Sequence, residues 1–140
     1  MLGADDTLSD LFSFDENSVD PLLVGEIDTI KIQSLIGINF PTSDVYIYPG
    51  AIKHIKKKHP GVWEQYGHSI PLVLSEPDYI GKNPKEPNSI ELYKQLGDHL
   101  LLAIKLDPTG YLFVSSLYDL KNAVAKINKR LISKRIIPYV

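Results

Sequence analysis

The sequence predicts an α+β domain: N-terminal helices packed on a roughly four-stranded antiparallel sheet, closed by a C-terminal helix. Three observations predict it. Residues 49–59 make a helix-length stretch bounded by Pro49 and Pro60. Strand-like runs between Ser89 and Tyr118 are joined by turns so short that they must form an antiparallel meander. From Leu117 onward, Leu117, Leu120, Val124, Ile127 and Leu131 step by three and four, the stripe of an amphipathic helix.

Taken in order, residues 1–20 mix Asp, Ser and Asn with an apolar cluster at Leu8, Leu11, Phe12 and Phe14. The cluster suits a short docked helix or a disordered tail. Leu22–Ile38 is apolar and rich in β-branched residues, and it carries Gly25 and Gly37, which favours extended pieces mixed with helix. Pro41-Thr42-Ser43-Asp44 is a turn, and Val45–Tyr48 an extended lead into the helix at 49–59. Pro49 suits a first helical turn, and Pro60 cannot continue one. Ala51, Ile52 and Ile55 share the apolar face there, and Lys53, Lys56 and Lys57 project away. Val62, Trp63, Tyr66 and Ile70, then Leu72, Val73 and Leu74, predict one or two short helices covering a sheet, with Trp63 and Tyr66 as core anchors.

From Glu76 the pattern is β. Pro77–Gly81 is a short strand, and residues 82–88 are a loop by composition. Ser89–Gln95 places Ile90 and Leu92 on one face and Glu91, Tyr93 and Gln95 on the other. Gly97-Asp98 and Asp107-Pro108-Thr109-Gly110 are turns, and Tyr111–Tyr118, apolar on both faces at first, is a central strand. Asp119 is expected to open the last helix, with bases crowding its negative end.

The 140 residues make one domain with an ordinary globular composition, 44% hydrophobic and 23% charged. Without cysteine there is neither disulfide nor thiolate metal site. No apolar run approaches the roughly 20 residues of a membrane span, and the N-terminus lacks the basic start of a secretory signal. A cytoplasmic location is therefore expected. Charge is unevenly shared. Residues 1–30 carry eight acids and no Lys or Arg, leaving 15 bases against nine acids (17 less eight) for the remainder. The body thus suits a polyanionic partner, and the stretch 1–23 reads as an acidic leader ahead of a domain at 24–140.

Three places offer reactive groups: His54, Lys58 and His59 on the basic helix; Lys94 and Lys105 on the strands; and Ser115, Ser116 and Tyr118 at a strand end. Imidazoles among lysines suit chemistry on a phosphate, because imidazole exchanges protons near neutral pH and ammonium groups hold anionic oxygens. Taken alone, the first group is better explained by a solvated basic helix with a capping histidine, and a strand exit explains the serines equally. No Cys, HExxH or phosphate-cradling Gly-rich loop is present, so neither metal nor cofactor is expected.

Read together, Val24-Gly25-Glu26-Ile27, Ile47-Tyr48, the helix from His54 to Pro60, Pro77–Gly81, Asn88–Lys94, Leu101–Lys105 and Val114–Tyr118 resemble the phage- and mobile-element-associated nuclease domains of the barnase/EndoU/colicin/RelE-like class. The resemblance runs over roughly residues 24–135, and its motifs are specific jointly rather than singly. It implies a metal-independent endoribonuclease, a toxin or effector in phage–host conflict, with RNA as substrate and room for a cognate inhibitor protein. On that resemblance His54 or His59 takes the proton of a ribose 2′-OH, whose oxygen attacks the adjacent phosphate to give a 2′,3′-cyclic phosphate. Lys58, Lys94 or Lys105 neutralises the developing charge, and Ser115, Ser116 and Tyr118 hold the phosphate or the leaving oxygen. Ser116 stands where relatives are expected to carry Thr, which keeps the hydroxyl and loses β-branched stiffness. The alternative is a non-catalytic module of phage origin that binds nucleic acid or protein through its basic face. The nuclease reading requires a histidine, a strand lysine and Ser116 with Tyr118 to meet in one cleft.

Overall fold

A computed structural model describes residues 19–140; the apolar cluster at Leu8–Phe14 and most of the acidic leader lie outside them. The described chain runs β1 (Leu22–Glu26), α1 (Thr29–Ile36), β2 (Asp44–Ile47), α2 (Pro49–Lys58), α3 (Val62–Tyr66), a 3-10 turn (Gly67–Ser69) and α4 (Ile70–Ser75). It continues with β3 (Tyr79–Lys82), β4 (Ser89–Leu96), β5 (Asp98–Leu106), β6 (Leu112–Asp119), α5 (Ala123–Ile132) and β7 (Ile136–Pro138). β1 begins inside the stretch read as leader.

The α+β class holds, but among the described residues the sheet has seven strands rather than four, in the order β1-β2-β6-β5-β4-β3-β7. β3 to β6 are the antiparallel meander expected from the turns. The extra strands flank it. β2 joins β6 in parallel, with β1 outside it, and β7 joins the outer edge of β3. Both additions come from distant parts of the chain, so no short turn announces them.

One face of the sheet carries the main core. Ile52 and Ile55 of α2, Trp63 of α3, Ile70, Val73 and Leu74 of α4, and Ile90, Leu92, Leu102, Ile104 and Val114 of the meander are at most 1% exposed. Each such side chain contributes about 1.5–3 kcal/mol of transfer free energy. Tyr66 closes one end: its hydroxyl donates to the Asp98 carboxylate at 2.8 Å and accepts the Asp98 N–H at 3.0 Å.

Among the described residues the other face is only partly covered. α5 lies over it and shares a smaller core of Tyr93, Leu101, Leu120, Ala123, Ile127 and Ile136. The expected apolar stripe is split here. Leu117 belongs to β6 and faces the main core, Leu120 lies in the turn, and Val124 is exposed, so the helix opens at Ala123 and Asp119 ends β6. A spacing of three puts Leu117 and Leu120 on one side of a helix but on opposite faces of a strand, and pairing of Leu117–Asp119 with Leu100–Leu102 decides for the strand.

After α5, Lys134 takes a left-handed conformation (φ 62°) and turns the chain back along β3. Arg135 then crosses Gly81, which pairs with Glu91 on one side and Ile136 on the other. A Cβ on Gly81 would lie 2.7 Å from Ile136 and closer still to the Arg135 carbonyl. Gly81 is thus not a strand terminator but the one residue that admits this crossing.

Candidate active site

β2 pairs with β6 only at Val45–Leu112 and Tyr46–Phe113. Immediately beyond, a register shift between Ala103 and Ile104 leaves Ser115 as the extra residue on β6, and its hydroxyl donates to the Ala103 carbonyl at 3.2 Å. β2 leads through Tyr48 into α2, which packs along β6 with Ile52 and Ile55 inward. This brings the exit of α2 beside the far half of β6. His59 is the C-terminal cap of α2, and its N–H donates to the Ile55 carbonyl at 2.8 Å. Its ring stacks on Tyr118, with centroids 5.1 Å apart and an interplanar angle of 23°.

Tyr118 also lines a cleft of about 270 Å³ on the partly covered face, with Ser115, Ser116, Lys105, Ser89 and Glu91 around it. Four of the residues read from sequence therefore line one cleft, Lys105, Ser115, Ser116 and Tyr118, and His59 adjoins it through its stack on Tyr118. His54 and Lys58 are exposed and act on His59 through charge. Lys94 is not brought in. Strand alternation turns it to the opposite face from Glu91, where its ammonium donates to the Glu76 carbonyl at 2.6 Å and lies 3.6 Å from Asp78. Lys105 keeps 39% of its side chain exposed and pairs with Glu86 across the rim at 3.3 Å.

Sequence reasoning missed the floor of this cleft. Glu91 is 3% exposed and receives a two-pronged contact from Arg135, at 2.9 Å to one carboxylate oxygen and 3.0 Å to the other. The Tyr93 hydroxyl donates to Glu91 at 3.0 Å and accepts from Arg130 at 2.8 Å. The signal available was a lone carboxylate inside the apolar run Ile90-Glu91-Leu92-Tyr93, since a charge is buried only with a partner.

Electrostatics separate the titratable groups. Burial pushes His59 below the ordinary histidine value; Asp119 partly offsets this, and His54 and Lys58 push it down further. Burial raises the Tyr118 phenol, and the Glu91 charge adds to this against the two arginines. Near neutral pH the stacked pair at the edge of the cleft thus offers a neutral imidazole and a protonated phenol. Among the described residues no three His, Cys, Asp or Glu side chains gather as a metal site, and no helix is long and apolar enough to cross a membrane.

A family model described as phage-Barnase-EndoU-ColicinE5/D-RelE like nuclease3 matches residues 23–128, well over half of the chain. The chain belongs to this nuclease family. The match spans β1 to most of α5, so it includes every residue that lines the cleft, while Arg130 and Arg135, which hold Tyr93 and Glu91, lie beyond it. No curated protein and no solved structure matches the chain significantly. Membership gives the domain a nucleic acid as substrate class.

Proposed function

We propose that the domain is a metal-independent endoribonuclease that cleaves by transesterification. The observation that carries the reading is the stack of His59 on Tyr118 at the wall of a cleft that also holds Lys105, Ser115 and Ser116. His59, neutral at pH 7, accepts the proton of a ribose 2′-OH. The 2′ oxygen then attacks the neighbouring phosphorus, forming the cyclic phosphate as the bond to the 5′ oxygen breaks. The Tyr118 phenol donates a proton to that leaving oxygen. Lys105 and the serine hydroxyls meet the charge that develops on the phosphate, where fixed donors act most strongly. His54 and Lys58, exposed on α2, bind the flanking backbone. Bacterial cytoplasm is the expected setting, with a toxin or effector role and a cognate inhibitor as its biological frame.

The test is cleavage of a structured RNA pool in EDTA, with fragment ends mapped. Wild type should leave 2′,3′-cyclic phosphate and 5′-OH ends, and His54→Ala/His59→Ala should not. If neither protein cleaves, even after removal of residues 1–20, which leaves β1 whole, the reading falls in favour of a non-catalytic binding module.

A further inference from the structure

Beside the cleft, the same face of the sheet carries four aromatic rings. Tyr46 of β2 and Phe113 of β6 are register partners, and Phe113 lies opposite Lys105 of β5. Tyr111 meets Tyr46 edge to face, and Tyr48 meets Phe113 likewise, each pair with centroids 6.4 Å apart. The neighbours Val45, Ile47, Leu112 and Val114 point the other way and are fully buried. They suffice to seat β2 on β6, so the core does not require the aromatic row. Tyr48 is 40% and Tyr111 55% exposed. Tyr46 and Phe113 are half-buried; a contiguous, partly exposed aromatic row, unlike a single surface tyrosine, marks a contact surface.

Resting on the nuclease reading, we infer that Tyr46, Tyr48, Tyr111 and Phe113 form a stacking platform for unpaired bases of a single-stranded RNA beside the scissile nucleotide. In each edge-to-face pair the ring that presents its edge keeps its own faces clear of its partner, and a base has a matching π-face whatever its identity. The platform continues into the cleft through Lys105. Phe113 and Ser116 are three residues apart on β6, roughly 10 Å along a strand. A base on the platform is therefore a flanking one, and the phosphate beside Lys105 is the link between them. The contact selects unpaired over duplex RNA and is tolerant of sequence.

The experiment reads binding rather than cleavage. A labelled single-stranded oligonucleotide with 2′-O-methyl sugars, which cannot be cleaved by 2′-oxygen attack, is titrated by fluorescence anisotropy. A matched strand with abasic positions is its control. Wild type should bind the base-bearing strand roughly ten-fold or more tightly than the abasic one. Tyr111→Ala should lose much of that difference and leave abasic binding unchanged, while Tyr111→Phe keeps it. Equal wild-type affinity for the two strands overturns the inference, as does binding to neither. Cleavage without base-dependent binding removes the platform and leaves the nuclease; base-dependent binding without cleavage does the reverse.

Discussion

Replacing Arg135 by Met strands the Glu91 carboxylate. Glu91 exposes 4% of its side chain, and among the described residues its side-chain donors are Arg135, at 2.9 and 3.0 Å, and Tyr93, at 3.0 Å. Breaking a buried pair by removing one partner costs about 3–5 kcal/mol, because the remaining charge has neither water nor counter-ion. Arg135 keeps 25% of its side chain in solvent, so the lower end, about 3 kcal/mol, applies. With a urea m-value of about 2 kcal/mol/M, the midpoint should fall by about 1.5 M. Glu91→Leu/Arg135→Met removes both charges and should recover much of the loss. The assay is urea denaturation of the wild type, the two single variants and the double variant, with the buried Trp63 as the fluorescent reporter. A loss under 1 kcal/mol for Arg135→Met, or single-variant losses that simply add, would refute the claim that Glu91 depends on Arg135.

Two further outcomes follow from geometry already given. Gly81→Ala places a methyl against the Arg135 carbonyl and Ile136, and backbone cannot swing aside as a side chain does. It should cost on the order of 3 kcal/mol or more and detach β7, read as lost amide-exchange protection at Ile136–Pro138. His59 has a folded pKa below its unfolded value, so the unfolded chain takes up that proton first as pH falls. Its contribution to stability is complete above the unfolded value and is lost as pH drops towards the folded one. The acidic limb of kcat/KM should lie below 6.5, moving lower in Asp119→Asn and higher in Lys58→Gln; a limb unmoved by either would exclude His59 as the base.

What could be read from sequence was what local chemistry dictates. Pro49 and Pro60 bracket α2, Gly97-Asp98 and Asp107–Gly110 set the meander, and all of these stand where the turns put them. Hidden elements were those closed by distant partners. β7 is three residues long and depends on the gap at Gly81, which in sequence looked like a strand end. The candidate site divides the same way. His59, Ser116 and Tyr118 announced themselves by residue type and place. Lys94 differs from Lys105 only by the face of the sheet to which alternation and register assign it. Arg135 was hidden because a base near a helix C-terminus already has an explanation in the dipole, and its reach to Glu91 exists only once β7 is docked.

The seam between β2 and β6 also bears on the order in which the chain acquires structure. The meander from β3 to β6 closes through short loops and can zip residue by residue. Residue 45 must find residue 112 across all of it, so that contact incurs a loop-closure entropy that the hairpins avoid. His59 reaches Tyr118 only because α2 is drawn in behind that contact. A compact intermediate holding the meander alone would have Ser116, Lys105 and Tyr118 in place and no imidazole beside them. The topology therefore couples the placing of His59, the proposed base, to a pairing of large sequence separation, and on the proposed reading a part-folded chain would hold Lys105, Ser116 and Tyr118 without it.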